Sequence, residues 1–212
     1  MTLNRFDINA IAPTPWKNGG GSTREIACFP AHSGLDDFDW RVSLATIASD
    51  GPFSIFPGID RVLTLLSGTG LHLQSAEGAH ELANERITAT SAPYGFAGET
   101  PLHCTMLDGP STDFNVMTRR GKVTAQVQRL ERDHSLTAAP QGLILAWGGL
   151  WTLTRGGDRW ICPSGTGLYW DGVEEEASVP WQMTPQSIRS KLVLVQITPV
   201  LRLRPLVHII PA

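Results

Sequence analysis

Charge is scarce in this chain. Charged residues make up 17% of its 212 residues, the formal net charge is -3, and no basic block runs longer than Arg119-Arg120. Nucleic-acid binding rests on clustered cations that displace counterions from phosphates, so no nucleic-acid partner is expected. Long apolar runs are also missing. The last strand-like stretch, Leu192 to Ile197, is far shorter than the roughly 20 apolar residues of a spanning helix, and no membrane partner is expected. Residues 1–12 hold no positive region followed by an apolar run, which argues against a secretory signal. Only three cysteines occur, Cys28, Cys104 and Cys162, an odd number spread widely. They suit free thiols in a reducing compartment better than a disulfide framework or a zinc site, so a cytoplasmic location is expected.

Helix signals are few. A stretch from Val123 to Asp133 and a shorter one around Pro185 to Ser190 are the helical candidates, although the alternation of Val123, Ala125 and Val127 makes a strand as good a reading. What the chain has instead is punctuation. Twenty-one glycines and 15 prolines separate short apolar runs, the pattern of an all-β sandwich or barrel. Trp40 to Ile47 alternates clearly, with Trp40, Val42 and Leu44 on one face and Arg41, Ser43 and Ala45 on the other. The second face is small and carries a cation, which suits the wall of a cavity. Further strands are expected at Arg61–Leu66, Leu71–Gln74, Ile87–Thr90, Tyr94–Ala97, Leu102–Leu107 and Phe114–Arg119. After the candidate helix, strands are expected at Leu143–Trp147, Trp151–Thr154, Arg159–Cys162, Leu168–Trp170, Leu192–Thr198 and Leu206–Ile210.

A faint repeat relates Ser67-Gly68-Thr69-Gly70-Leu71 to Ser164-Gly165-Thr166-Gly167-Leu168. A conflicting register pairs Leu66-Ser67-Gly68 with Ala146-Trp147-Gly148. Either implies two similar β units joined near Arg120 to His134, so the chain is divided at 1–119 and 120–212, with strands open to exchange between the two.

Three polar motifs stand out. Trp16-Lys17-Asn18-Gly19-Gly20-Gly21 leads into Thr23-Arg24-Glu25, Gly51-Pro52-Phe53-Ser54 leads into Phe56 and Asp60-Arg61, and Asp113-Phe114-Asn115 opens a later strand. Arg24, Arg41 and Arg61 supply cations with a planar fork suited to carboxylates. Asn18, Thr23, Ser43, Ser54 and Asn115 add neutral donors and acceptors. Glu25, Asp60 and Asp113 either hold the arginines or meet a ligand N–H, and Trp16, Phe53 and Phe56 offer apolar walls. A small acid carrying a carboxylate and an N–H fits these groups. Each residue also has a structural reading: Arg24-Glu25 as a pair, Asp60 tying a turn, the aromatics as core. On the alternative reading of a metal-independent isomerase or hydrolase, Glu25 or Asp60 serves as base. The glycines match neither a phosphate loop nor a dinucleotide fingerprint, since Lys17 precedes them.

Taken in order, these motifs make the chain similar to the HutD/Ves family, with the likeness running from about Trp16 to Arg119. The resemblance implies a cupin-like bicupin fold, two tandem β-barrels or jelly rolls. It implies a regulatory role in histidine utilisation through a pathway carboxylate such as N-formylglutamate or urocanate. Metal-binding cupins place two histidines and a glutamate before the strand end at Leu66-Ser67-Gly68; here those places hold Ile55, Pro57 and Arg61, so neither metal nor other cofactor is expected. The apolar strands near the C-terminus leave a homodimer open.

Overall fold

In a computed structural model, residues 2–75, 83–137, 139–172 and 179–200 are described. The chain is all-β. After β1 (Thr2–Asp7), a single 3-10 turn at Ile8–Ala10 and the short β2 (Thr14–Pro15) lead into β3 (Gly21–Phe29) and β4 (Trp40–Ile47). β5 (Gly51–Pro52), β6 (Ile59–Ser67), β7 (Leu71–Ser75), β8 (Asn84–Ile87), β9 (Tyr94–Ala97), β10 (Leu102–Met106) and β11 (Ser111–Arg119) complete the first half. The second half holds β12 (Val123–Leu130), β13 (His134–Thr137), β14 (Gln141–Ala146), β15 (Leu150–Arg155), β16 (Asp158–Pro163), β17 (Thr166–Asp171), β18 (Pro180–Pro185) and β19 (Leu192–Pro199). No helix among the described residues is long and apolar enough to cross a membrane.

The strands form four antiparallel sheets in the orders β5-β10-β7-β8, β2-β3-β4-β11-β6-β9, β1-β17-β14-β19-β12 and β13-β18-β15-β16. Leu63, Leu65, Leu71, Leu73 and Leu102 form the core between the first two sheets. Trp151, Trp170, Trp181, Ile144 and Leu194 form the core between the last two. A third core joins the halves back to back, where Val42, Leu44 and Phe114 meet Leu143, Val195 and Ile197. Alternation explains how the middle sheets serve two cores at once: residues one apart on a strand face opposite ways, so β14 sends Leu143 and Leu145 to the central core and Ile144 and Ala146 to the second sandwich.

The halves repeat one strand order. The outer sheets run β10-β7-β8 and β18-β15-β16, and the inner ones β4-β11-β6-β9 and β12-β19-β14-β17. By this order β6 corresponds to β14, so the repeat register pairing Leu66-Ser67-Gly68 with Ala146-Trp147-Gly148 is the structural one to within a residue. The Ser164–Leu168 segment enters β17, not the strand corresponding to β7. The strand at the N-terminus, β1, pairs with β17 and so completes the sheet of the other half, Thr2 opposite Asp171 through Asp7 opposite Thr166.

Several expectations are corrected. Of the barrels or jelly rolls expected, the halves are open two-sheet sandwiches and not closed barrels, because among the described residues no strand is hydrogen-bonded into both sheets of one half. The helical candidate at Val123–Asp133 is β12: it pairs with β19 over its whole length, and Val123, Ala125 and Val127 pack on the central core. The short candidate around Pro185–Ser190 holds the end of β18 and then a turn, with Arg189 at φ 62° and the hydroxyls of Ser187 and Ser190 2.9 Å apart. The strand expected at Ile87–Thr90 ends at Ile87, where Ser91 N–H bonds back to the Thr88 carbonyl. The strand expected at Leu206–Ile210 lies outside the described residues.

Candidate functional site

The inner face of the six-stranded sheet carries three polar rows, set by strand register. Thr23, Ala45 and Asp113 lie side by side, as do Glu25, Ser43 and Asn115, and then Cys28, Arg41, Met117 and Arg61. The last row includes Cys28 because a bulge between Glu25 and Ala27 shifts β3 by one residue. Loops close the space above these rows. The segment Pro15–Asn18 covers one side, and Pro52 to Phe56 covers another, leaving a cavity of about 480 Å³. Gly21 lets the first loop lie flat: a Cβ there would run into the Thr46 carbonyl and the Trp16 ring.

Eleven of the fourteen residues singled out from the sequence line this one cavity. From the loops come Trp16, Asn18, Phe53, Ser54 and Phe56; from the strands, Thr23, Arg41, Ser43, Arg61, Asp113 and Asn115. Trp16 is fixed by its indole N–H, which donates to Thr23 Oγ1 at 2.7 Å, and Asn18 Oδ1 accepts from Gly20 N–H at 3.0 Å. Glu25 sits at the edge, its Oε2 accepting from Arg41 Nε at 2.7 Å. That contact pins one side of the guanidinium, while Arg41 Nη1 reaches Ser43 Oγ at 3.5 Å.

Arg24 and Asp60 are not brought to the cavity. Arg24 points to the other face of β3 and donates to the Ile11 carbonyl at 3.0 Å. Asp60 is on the opposite face of β6 from Arg61, where Arg120 spans it and Glu99 at 2.7 Å each. Glu25 is tied to a guanidinium and half-exposed. Neither carboxylate has the setting of a base.

Asp113 does have that setting. It is 2% exposed, and its Oδ1 accepts no hydrogen bond. Burial pushes its carboxyl up to about 7, against the pull of the nearby Arg61 charge. Arg61 is itself buried; desolvation lowers it to about 10, and Asp113 opposes that shift. Its guanidinium sits among three rings, 4.9 Å from the centroid of Phe96, 5.3 Å from Phe53 and 5.6 Å from Phe56. Cys104 is no nucleophile: burial pushes its thiol up to about 12.

The sequence reading passed over Lys17 and Met117, which also line the cavity. Met117 was legible, since it continues the alternation of Asp113 and Asn115. Lys17 stood in the first motif without being chosen. Among the described residues no three His, Cys, Asp or Glu side chains gather to hold a metal ion. The cavity's groups do not fit one either, because guanidinium and ammonium cations repel it.

Among the described residues, the second sandwich is filled at the corresponding level. In the first, Arg61 faces Phe96 across β6 and β9; in the second, Gly142 faces Trp170 across β14 and β17. A Cβ on Gly142 would lie 2.5 Å from Trp170 Cζ2, so the glycine makes room for the indole. Trp170 and Trp181 then pack at 5.3 Å between centroids and fill the interior.

Comparison with known proteins identifies the fold and the family. The fold is cupin-like: a Cupin 2 conserved barrel domain protein from Leptotrichia buccalis superposes with TM-score 0.54 at 12% identity, covering 92% of this chain and 96% of that one. The chain belongs to the HutD family, whose model matches residues 9–169. Protein Ves of Cronobacter sakazakii is 38% identical over 166 residues, 78% of this chain and 85% of that protein. A conserved protein of unknown function from Pseudomonas aeruginosa PAO1 superposes with TM-score 0.83 at 27% identity, covering 93% and 100%. HutD from Pseudomonas fluorescens SBW25 gives 0.76 at 26%, covering 94% and 100%.

Proposed function

We propose that this protein is a metal-free, cytoplasmic, tandem cupin that binds a small carboxylate metabolite in the cavity of its first sandwich and acts as a regulator of histidine utilisation. N-formylglutamate and urocanate are the leading ligands. The observation that carries the reading is the gathering of three cations, Lys17, Arg41 and Arg61, around one walled space of about 480 Å³. Arg61 is buried and Arg41 partly so, while Lys17 is exposed at the rim; keeping the two guanidinium groups out of water beside a cavity is costly unless an anion or its equivalent meets them. Arg41 is the principal anchor, because Glu25 holds its Nε, and Ser43 Oγ and Met117 Sδ steady its Nη1, so the guanidinium is fixed in the cavity wall. Family membership supports the link to histidine utilisation.

The test is a thermal-shift series with histidine, urocanate, formiminoglutamate, N-formylglutamate and glutamate. A ligand at a hundred times its Kd adds about 2.7 kcal/mol, so one acid is expected to raise Tm selectively. Absence of any shift would remove the ground for a histidine-pathway binder. The same mixtures, followed by NMR over hours, are expected to stay chemically unchanged. The second reading, a metal-independent isomerase or hydrolase, is favoured by one observation: Asp113, a buried carboxyl titrating near 7 at the cavity floor. It takes the base role in place of Glu25 or Asp60, and turnover abolished by Asp113→Asn would establish it.

Arg41→Ala is expected to weaken carboxylate binding at least tenfold, since a hydrogen bond to a charged group is worth about 1.5–3 kcal/mol. Calorimetry reads this directly, and an unchanged Kd would take Arg41 out of the site.

A further inference from the structure

Buried polar atoms without partners are rare in folded proteins, and several that line one cavity point to a group bound there. Three of them surround the same cavity. Arg61 Nε is a donor with no acceptor, and Asp113 Oδ1 and Asn115 Oδ1 are acceptors with no donor. All three residues are more than nine-tenths buried. Their positions follow from the sheet: Asp113 and Asn115 are two apart on β11 and face the same way, and Met117, next in that line, pairs with Arg61 on β6. The floor therefore presents one donor and two acceptors within a single patch, deep under the loops that carry Lys17 and Phe53.

The chemistry of that patch is complementary to a particular group. Above about pH 7, where Asp113 is ionised, a carboxylate has acceptors only; it satisfies Arg61 Nε and leaves both oxygens of the floor unmatched, while placing a second negative charge beside Asp113. An ester offers a carbonyl and no donor. An amide offers both, a carbonyl for the guanidinium and an N–H for the carboxylate and the Asn115 carbonyl.

We infer that the ligand's buried end is an amide or a group of equal polarity, with adjacent carbonyl and N–H, and that its carboxylate stays with Arg41 and Lys17. This rests on the carboxylate-binding reading and narrows it to acids with an amide-like far end, excluding plain dicarboxylates. A site built to hydrogen-bond an N–H discriminates strongly against analogues lacking it, because its own buried groups are then left unpaired.

The test uses three acids of one length: glutaramate, with an amide end; monomethyl glutarate, with a carbonyl but no N–H; and glutarate, with a second carboxylate. Calorimetry at about pH 8.5, above the titration of Asp113, is expected to show glutaramate binding at least tenfold tighter than either of the others. In Asp113→Asn, whose amide supplies its own donors to the floor, the preference is expected to fall to threefold or less while monomethyl glutarate is affected little. Should that variant fail to fold, Asn115→Ser carries the same comparison. Equal binding of all three acids would overturn the inference and leave the carboxylate reading standing. Tightest binding of glutarate would overturn it too, and would assign the floor to a second anion. If none of the three binds at millimolar concentration, the carboxylate reading falls and this inference falls with it.

Discussion

Asp113→Asn is expected to make the protein more stable at pH 8 and to change little at pH 4. The folded carboxyl titrates near 7, pushed up from 3.8 by burial with Arg61 opposing. Below about pH 4 the group is protonated in both folded and unfolded chains, and its contribution to stability is fully present. Between 4 and 7 only the folded chain keeps the proton, so stability is lost as pH rises through the folded value. A shift of that size corresponds to roughly 4 kcal/mol, an order-of-magnitude figure for a fully buried group. Asparagine does not titrate, and the variant should lack this slope. Urea denaturation of both proteins at pH 4, 6 and 8 checks it through the difference between them, which cancels titrations they share, such as that of Glu99 held low by Arg120. Parallel pH profiles would mean that Asp113 is no more costly to ionise in the fold than in water. The result would also bear on function, since a residue that destabilises the protein at neutral pH is retained only for what it does in the cavity.

Trp170→Ala is expected to cost about 3–5 kcal/mol of stability, the range for emptying a large aromatic from a close-packed core. Trp170 is fully buried, packs on Trp181, and donates its indole N–H to the Ala139 carbonyl at 2.9 Å. Its partner across the β14–β17 pair, Gly142, has no side chain to refill the space. Ligand binding at the first sandwich should be unaffected wherever the variant is folded, since the two interiors are separated by the central core of Val42, Phe114, Leu143 and Val195. Chemical denaturation gives the first quantity and calorimetry the second. A loss below about 1 kcal/mol would show that the second interior collapses readily, and a changed Kd would show that the halves are coupled.

Much of the fold was legible because β-strands write their environment in period two. The ends of β4 and β9 coincide with the expected Trp40–Ile47 and Tyr94–Ala97, and the faces of β4 are as the alternation implied, with Arg41, Ser43 and Ala45 on the cavity and Val42 and Leu44 in the central core. Where the pattern was passed over, it was often present. In β18, buried Trp181 and Met183 alternate with exposed Gln182 and Thr184, but the stretch is short and bounded by prolines, and no strand is expected there from the sequence. Among the described residues β1 is an edge strand whose one neighbour, β17, is more than 150 residues away, and half-exposed Thr2–Asp7 carries too little apolar alternation to declare it.

By itself the sequence determined the all-β class, the family, and a set of polar residues able to hold a small acid, because residue types and short spacings carry that information. Tertiary structure alone decided which of those residues meet. Arg24 and Arg61 look alike on paper, yet one turns to the Ile11 carbonyl and the other into the cavity, since strand parity and the bulge in β3 settle the faces. It also decided that Asp113, not Glu25 or Asp60, is the carboxyl taken out of water. Burial is a property of what packs around a side chain, and the strands and loops that enclose Asp113 come from residues 15 to 61. The same holds for the second sandwich, where a glycine at 142 and a tryptophan at 170, 28 positions apart, come together to fill the space that the first sandwich leaves open.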